Sequence, residues 1–156
     1  MVAWAQTTLD GHWGLQGEGQ PLHRKVDYDT SRKAMCGSFT KDPVMTAALA
    51  VYQDQDTCDE YPFAGTYENP ANSNEPEFDG DQCAQVTAVQ VANPSNTNEA
   101  ADWPTVAPIT APTGAETCVR GHIPGKLNFS VGGSYGNLVR SARLVDNDPF
   151  WVKVTS

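Results

Sequence analysis

Asp59 and Glu60 are adjacent carboxylates, the residues of this 156-residue chain whose types and spacing best suit chemistry. They follow Cys58 and precede the run Tyr61-Pro62-Phe63-Ala64. Two acids ahead of an apolar segment are costly unless they are solvated, bound to a cation or catalytic. Phosphodiester hydrolysis has a use for such a pair. A hard divalent cation on oxygen ligands neutralises the phosphate, and the neighbouring carboxylate orients or deprotonates a water. The plainer reading is a helix N-terminus decorated with acids, where the dipole favours them.

A second constellation lies in the C-terminal third: Arg120-Gly121-His122, Asn128, Gly132-Gly133-Ser134 and Gly136-Asn137. His122 has the chemistry of a general base or a metal ligand, set against the commoner role of a hydrogen-bonded structural histidine. Asn128 offers an amide oxygen to a cation or an amide proton to a phosphate. A Gly-Gly-Ser turn at a helix start presents backbone N–H groups to a phosphate. It is not a Walker loop, because no Gly-Lys-Ser/Thr follows. A third run, Glu75-x-Glu77-x-Asp79-Gly80-Asp81, looks like half a calcium loop. Val86 stands where the closing carboxylate belongs, so a solvated acidic loop is the expectation.

The elements that position these groups read as follows. Thr7-Thr8-Leu9 and Trp13-Gly14-Leu15 are short strand candidates in a Gly- and Trp-containing N-terminal extension, 1–20, which packs on or flanks a domain over 21–156. Asp29-Thr30-Ser31 caps a helix running to about Met35 and ending at Cys36-Gly37. Residues 43–52 are apolar and fit either a helix or a buried strand. Asp59 to about Tyr67 is expected to begin a short helix, with Pro62 in its first turn. Residues 83–91 alternate as a strand, and 92–117 read as a long surface loop with four prolines. Val119 to Ile123 is a strand. Residues 134–145 form an amphipathic helix with Leu138, Val139, Ala142 and Val145 on one face and Arg140 and Arg143 on another. Pro149 precedes a closing strand over Phe150 to Val154. The fold class is α+β: a small mixed or antiparallel sheet with two or three helices.

Composition bounds the rest. Hydrophobic residues are 39% and charged residues 19%, which suits a folded domain with polar loops. No apolar run reaches the ~20 residues of a membrane span, and the N-terminus lacks the pattern of a signal peptide. The four cysteines, at 36, 58, 83 and 118, contain no Cys-x-x-Cys pair, which argues against a zinc knuckle. Two disulfides and an oxidising compartment are the expectation, against the alternative of four buried thiols. Sequential pairing, Cys36–Cys58 and Cys83–Cys118, closes moderate loops and is the preferred connectivity. The net charge is −9, unfavourable for a protein that meets DNA. It is unevenly spread. Residues 1–117 carry five basic and seventeen acidic side chains, and residues 118–156 five basic and two acidic. A basic C-terminal face is therefore expected to meet phosphates.

In order along the chain, these motifs resemble one family. Residues 58–68, from Cys58-Asp59-Glu60-Tyr61-Pro62 to Glu68, look like the actinobacterial and fungal form of the signature of the NucA/NucB secreted deoxyribonucleases. Cys118-Val119-Arg120-Gly121-His122-Ile123-Pro124 resembles that branch's Cys-x-Arg-x-His-x-Pro element. Asn128 with residues 131–137 is similar to its Asn and Gly-rich helix start. Residues 146–152 are similar to its closing strand, with Asn147 where a Gly is usual. The resemblance spans about residues 21–154. It implies a secreted endodeoxyribonuclease of low sequence specificity, dependent on Mg²⁺ or Mn²⁺, with a reduced version of the non-specific endonuclease fold related to His-Me finger nucleases. It carries over Asp59 as essential acid and metal ligand, Glu60 as its partner, and Asn128, Ser134 and Asn137 as site residues. The metal is expected between Asp59 and Asn128, with Glu60 or His122 activating water. Arg120, Arg140 and Arg143 are the expected phosphate contacts. DNA is the expected partner, no membrane is implied, and a monomer is expected. Two alternatives accompany this reading. One is a nuclease toxin domain of a larger secreted protein, held by an immunity or inhibitor protein. The other is a disulfide-stapled binding module without catalysis.

Overall fold

The computed structural model describes residues 1–72 and 78–155. Glu75 and Glu77 of the acidic run lie outside the described residues. The fold is α+β, built on a four-stranded mixed sheet. Its strands are β2 (Asp56–Tyr61), β3 (Ala84–Val89), β4 (Thr105–Pro108) and β5 (Val119–Pro124), in spatial order β2-β5-β3-β4. β5 is antiparallel to β2 and parallel to β3, and β3 is antiparallel to β4. A separate two-stranded pair joins β1 (Leu22–His23) to β6 (Pro149–Phe150).

The two faces of the sheet differ sharply in polarity. Cross-strand pairing sets Cys58 opposite His122 and Glu60 opposite Arg120. Because side chains alternate along a strand, Asp56, Cys58, Glu60, Arg120 and His122 share one face. Tyr61, Val119 and Ile123 share the other, where they build the core with Leu9, Leu22, Val86 and Phe150. Burying each large apolar side chain there contributes roughly 1.5–3 kcal/mol.

Helices cover both faces. α1 (Val2–Thr8) replaces the strand expected at 7–9. Ala5 and Leu9 are fully buried, and Gln6 donates to the Tyr61 hydroxyl and to the Val152 carbonyl. The first twenty residues are thus an integral wall of the core. No strand forms at 13–15 either; that segment is turns around Gly14, which has positive φ. α2 (Asp29–Cys36) forms where expected. The 43–52 segment resolves as helix: α3 (Pro43–Leu49), capped by Asp42, whose carboxylate accepts the Met45 N–H at 2.7 Å, with a 3-10 turn following.

Two further expectations are corrected. Residues 92–117 are not one loop, for α4 (Glu99–Asp102) and β4 lie within them. The last helix, α5 (Gly125–Ser141), begins nine residues before the expected start at 134. The Gly132-Gly133-Ser134 run therefore sits inside a helix, where its N–H groups serve the helix rather than a phosphate. Of the expected apolar stripe, Leu138 packs against the core, whereas Val145 lies beyond the helix and is exposed. The closing strand shortens to two residues.

Both disulfides form with the expected pairing, Cys36–Cys58 and Cys83–Cys118. They close separations of 22 and 35 residues, worth roughly 3–4 kcal/mol each in the chain-entropy model. The first ties the end of α2 to the middle of β2. No helix among the described residues is long and apolar enough to cross a membrane.

Candidate functional site

Asp59 and Glu60 sit near the end of strand β2, not at a helix start as the sequence suggested. Strand pairing with β5 wins over the local preference for acids at a helix N-terminus, because β2 is an edge strand whose ladder to β5 runs its full length. The Tyr61–Pro62 peptide is cis, and the chain turns away from the sheet there. Adjacent residues on a strand point to opposite faces, yet Asp59 and Glu60 both line one cleft of about 300 Å³ at the end of the strand. Its other walls are Tyr28 just before α2 and Arg32 within it, Phe63 to Gly65 after the strand, and the stretch of α5 that carries Asn128, Phe129 and Tyr135.

Both acids are desolvated. Asp59 is half-buried, and its carboxyl is pushed up to about 7 by burial and then by the neighbouring Glu60 charge. Its Oδ1 accepts the Glu60 N–H at 3.0 Å. Glu60 is buried, and burial raises its carboxyl as well, opposed by the positive charge of Arg32. Arg32 acts on Asp59 in the same sense. The Met1 amino group offsets the Asp59 charge ahead of Arg32, while among the described residues Arg32 is the one cation lining the cleft beside the two acids.

Asn128 completes the oxygen set. Its amide Nδ2 donates to the Cys58 carbonyl at 2.8 Å and to Thr57 Oγ1 at 3.1 Å, which fixes the side chain against β2 beside Asp59. Its Oδ1 makes no hydrogen bond among the described residues. Two carboxylates and an amide oxygen are hard donors and fit Mg²⁺ or Mn²⁺. Cys36, Cys58 and Glu60 also lie close together. Both sulfurs are spent in the disulfide, so that group is not a thiolate metal site.

The other expected site residues divide. Along α5, residues 128, 132 and 135 face the cleft, spaced as one helical face requires. Ser134 and Asn137 lie on an exposed face beside it: Ser134 donates to the Ser130 carbonyl, and the Asn137 side-chain Oδ1 accepts from the Arg140 guanidinium. Arg140 stands in the last turn of α5, about 18 Å along the axis from Asn128. Arg143 follows the helix in a left-handed conformation. Arg120 is buried and committed. Its guanidinium pairs with Asp81 and donates to Gln85 and Ser38, on the polar face of the sheet. Lys126 is likewise engaged, with the Tyr52 carbonyl and Glu99. The expected basic C-terminal face is thereby reduced to Arg140, Arg143 and Lys153.

His122 also lies on the polar face, away from the cleft. Its Nδ1 bonds Asp56 Oδ2 at 2.7 Å, and its ring packs on Phe39 at 4.5 Å between centroids. Asp56 is fully buried, accepts the Asp42 N–H as well, and has one oxygen, Oδ1, without a partner among the described residues. The Asp56–His122 pair pins the 37–42 segment to the sheet.

Two contributors, Tyr28 and Arg32, escaped the sequence reading. They stand four apart, so the start of α2 puts both on one face. That spacing is visible in the sequence, and the expected Cys36–Cys58 bridge sets the end of α2 beside Cys58, but it does not fix which face of α2 turns to the cleft. No protein-family model, no curated protein and no solved structure matches the chain.

Proposed function

We propose that the chain is a secreted, divalent-metal-dependent endodeoxyribonuclease of the NucA/NucB type, acting at the Asp59–Glu60 cleft. The observation that carries this reading is the convergence of two desolvated carboxylates and the Asn128 amide on one open cleft, with Arg32 the one cation lining it among the described residues. Asp59 and Asn128 would hold a Mg²⁺ or Mn²⁺ ion. When bound, that ion supplies charge neutralisation at the scissile phosphate. Glu60 accepts the proton of the attacking water; its raised affinity for protons suits a general base. Arg32 contacts the phosphate from the rim. The two disulfides are compatible with an extracellular setting.

The test is digestion of plasmid and of denatured DNA with added Mg²⁺ or Mn²⁺, with and without chelator. Cleavage that chelator stops and that Asp59→Asn abolishes is the expected outcome. Full activity of Asp59→Asn sinks the assignment. The acidic surface favours a second reading, a disulfide-stapled binding module without catalysis. That reading expects ligand binding with no cleavage under any metal or pH.

A further inference from the structure

Two aromatic side chains at the cleft are more exposed than their chemistry favours. Phe129 of α5 is 70% exposed, and Tyr28 at the start of α2 is 42% exposed. Both line the cleft that contains Asp59 and Glu60. Deeper in it, Phe63 and Tyr135 stack on each other at 5.4 Å with an interplanar angle of 24°. The α5 wall between Phe129 and Tyr135 is Gly132 and Gly133, and a Cβ added to either meets nothing within 4 Å. The backbone there is left bare, and neither Phe129 nor Tyr28 packs against another aromatic ring among the described residues.

The charge around the cleft limits what can bind. Among the described residues Arg32 is the one cation lining it, beside two acids, in a chain of net charge −9. Affinity for nucleic acid gained by displacing counterions scales with the number of phosphates neutralised. One arginine supplies about one such contact, too little to hold a duplex against an acidic surface. A cleft of about 300 Å³ also admits a nucleotide rather than a double helix. Exposed rings supply the missing affinity only to bases free to stack on them, and such stacking is sequence-tolerant because every base has a π-face.

We infer that the cleft selects single-stranded DNA, with Phe129 and Tyr28 stacking unpaired bases and Arg32 contacting the phosphate between them. This rests on the nuclease reading for the identity of the ligand. It is tested by binding alone, so the two fail separately. Fluorescence anisotropy of Asp59→Asn in Mg²⁺ with a labelled oligothymidine and with a hairpin duplex reads the preference without turnover. The single strand is expected to bind at least tenfold tighter, with a shallow salt dependence of about one phosphate. Adding Phe129→Ala is expected to weaken single-strand binding roughly fivefold or more and leave the duplex unchanged. Phe129→Trp is expected to keep the affinity, which separates stacking from a packing defect. Equal or tighter duplex binding, no binding of either DNA, or indifference to Phe129→Ala would overturn the inference. Single-strand binding through Phe129 with no cleavage by the unmodified chain would instead overturn the nuclease reading and leave the stacking site standing.

Discussion

Two titratable side chains, Glu60 and His122, are the candidates for activating water beside Asp59, and their surroundings separate them. His122 has one nitrogen tied to a fully buried Asp56 and its ring against Phe39, on the face of the sheet that carries Arg120. Glu60 opens on the cleft that contains Asp59. The proposed chemistry therefore assigns catalysis to Glu60 and structure to His122. Glu60→Gln is expected to lower the cleavage rate by roughly 10²–10⁴. His122→Ala is expected to keep the rate within a few-fold while costing about 1–3 kcal/mol of stability, because Asp56 loses a partner in the interior. Initial rates and urea melts on the two variants measure both quantities. Loss of cleavage in a stably folded His122→Ala would reverse the assignment.

At the scale of elements, the sequence was legible wherever one rule acted alone. α2 stood out by its helix-terminus residues, β3 by alternation, and the disulfide pairing by loop length. β2 was not legible as a strand. Its residues, Asp-Thr-Cys-Asp-Glu-Tyr, lack the apolar alternation that marks a half-buried strand, because one face of this sheet is polar and internally paired. β4 was hidden by Pro104 and Pro108, which an edge strand tolerates. The first half of α5 was hidden by its glycines. Gly132, Gly133 and Gly136 each forgo about 1 kcal/mol relative to alanine in a helix interior, and none is required by a close approach of neighbouring atoms. Packing does not explain them; the proposed single strand in the cleft would use the space at the first two. Gly136→Ala is expected to stabilise the fold by about 0.5–1 kcal/mol and leave cleavage unchanged. Gly132→Ala paired with Gly133→Ala is expected to stabilise it at least as much yet weaken single-strand binding severalfold, since both positions line the cleft. Chemical denaturation and anisotropy on the two variants separate the cost to stability from the gain in function.

The whole molecule should show the cleft's charge in its response to pH. Asp59 is pushed up to about 7 by burial and by Glu60, and Glu99, its side chain only 9% exposed, is pushed up to about 7 by burial and by the neighbouring Asp54 carboxylate. For both, the fold favours the protonated form. Their contribution to stability is complete below the ordinary carboxyl range near pH 4 and is lost as pH rises to about 7. Asp79, Glu116 and Asp146 behave oppositely. Backbone N–H donors at the first two, and the Tyr67 hydroxyl at the third, hold them below their ordinary values. Their contribution is present above about pH 4 and lost as pH falls. The two sets together place maximal stability at about pH 5, and self-repulsion of a chain with a pI of about 4.5 steepens the decline above it. A cation between Asp59 and Asn128 requires the ionised carboxylate, so its binding competes with the proton and strengthens as pH rises towards 7. The melting temperature without metal is thus expected to be higher at pH 5 than at pH 8. Added Mg²⁺ is expected to raise it at pH 8 and barely at pH 5, because only ligand bound to the folded state stabilises it. Asp59→Asn should flatten part of the metal-free decline and abolish the Mg²⁺ effect at pH 8. A Mg²⁺ shift of equal size at both pH values, or one that persists in Asp59→Asn, would move the cation away from the cleft.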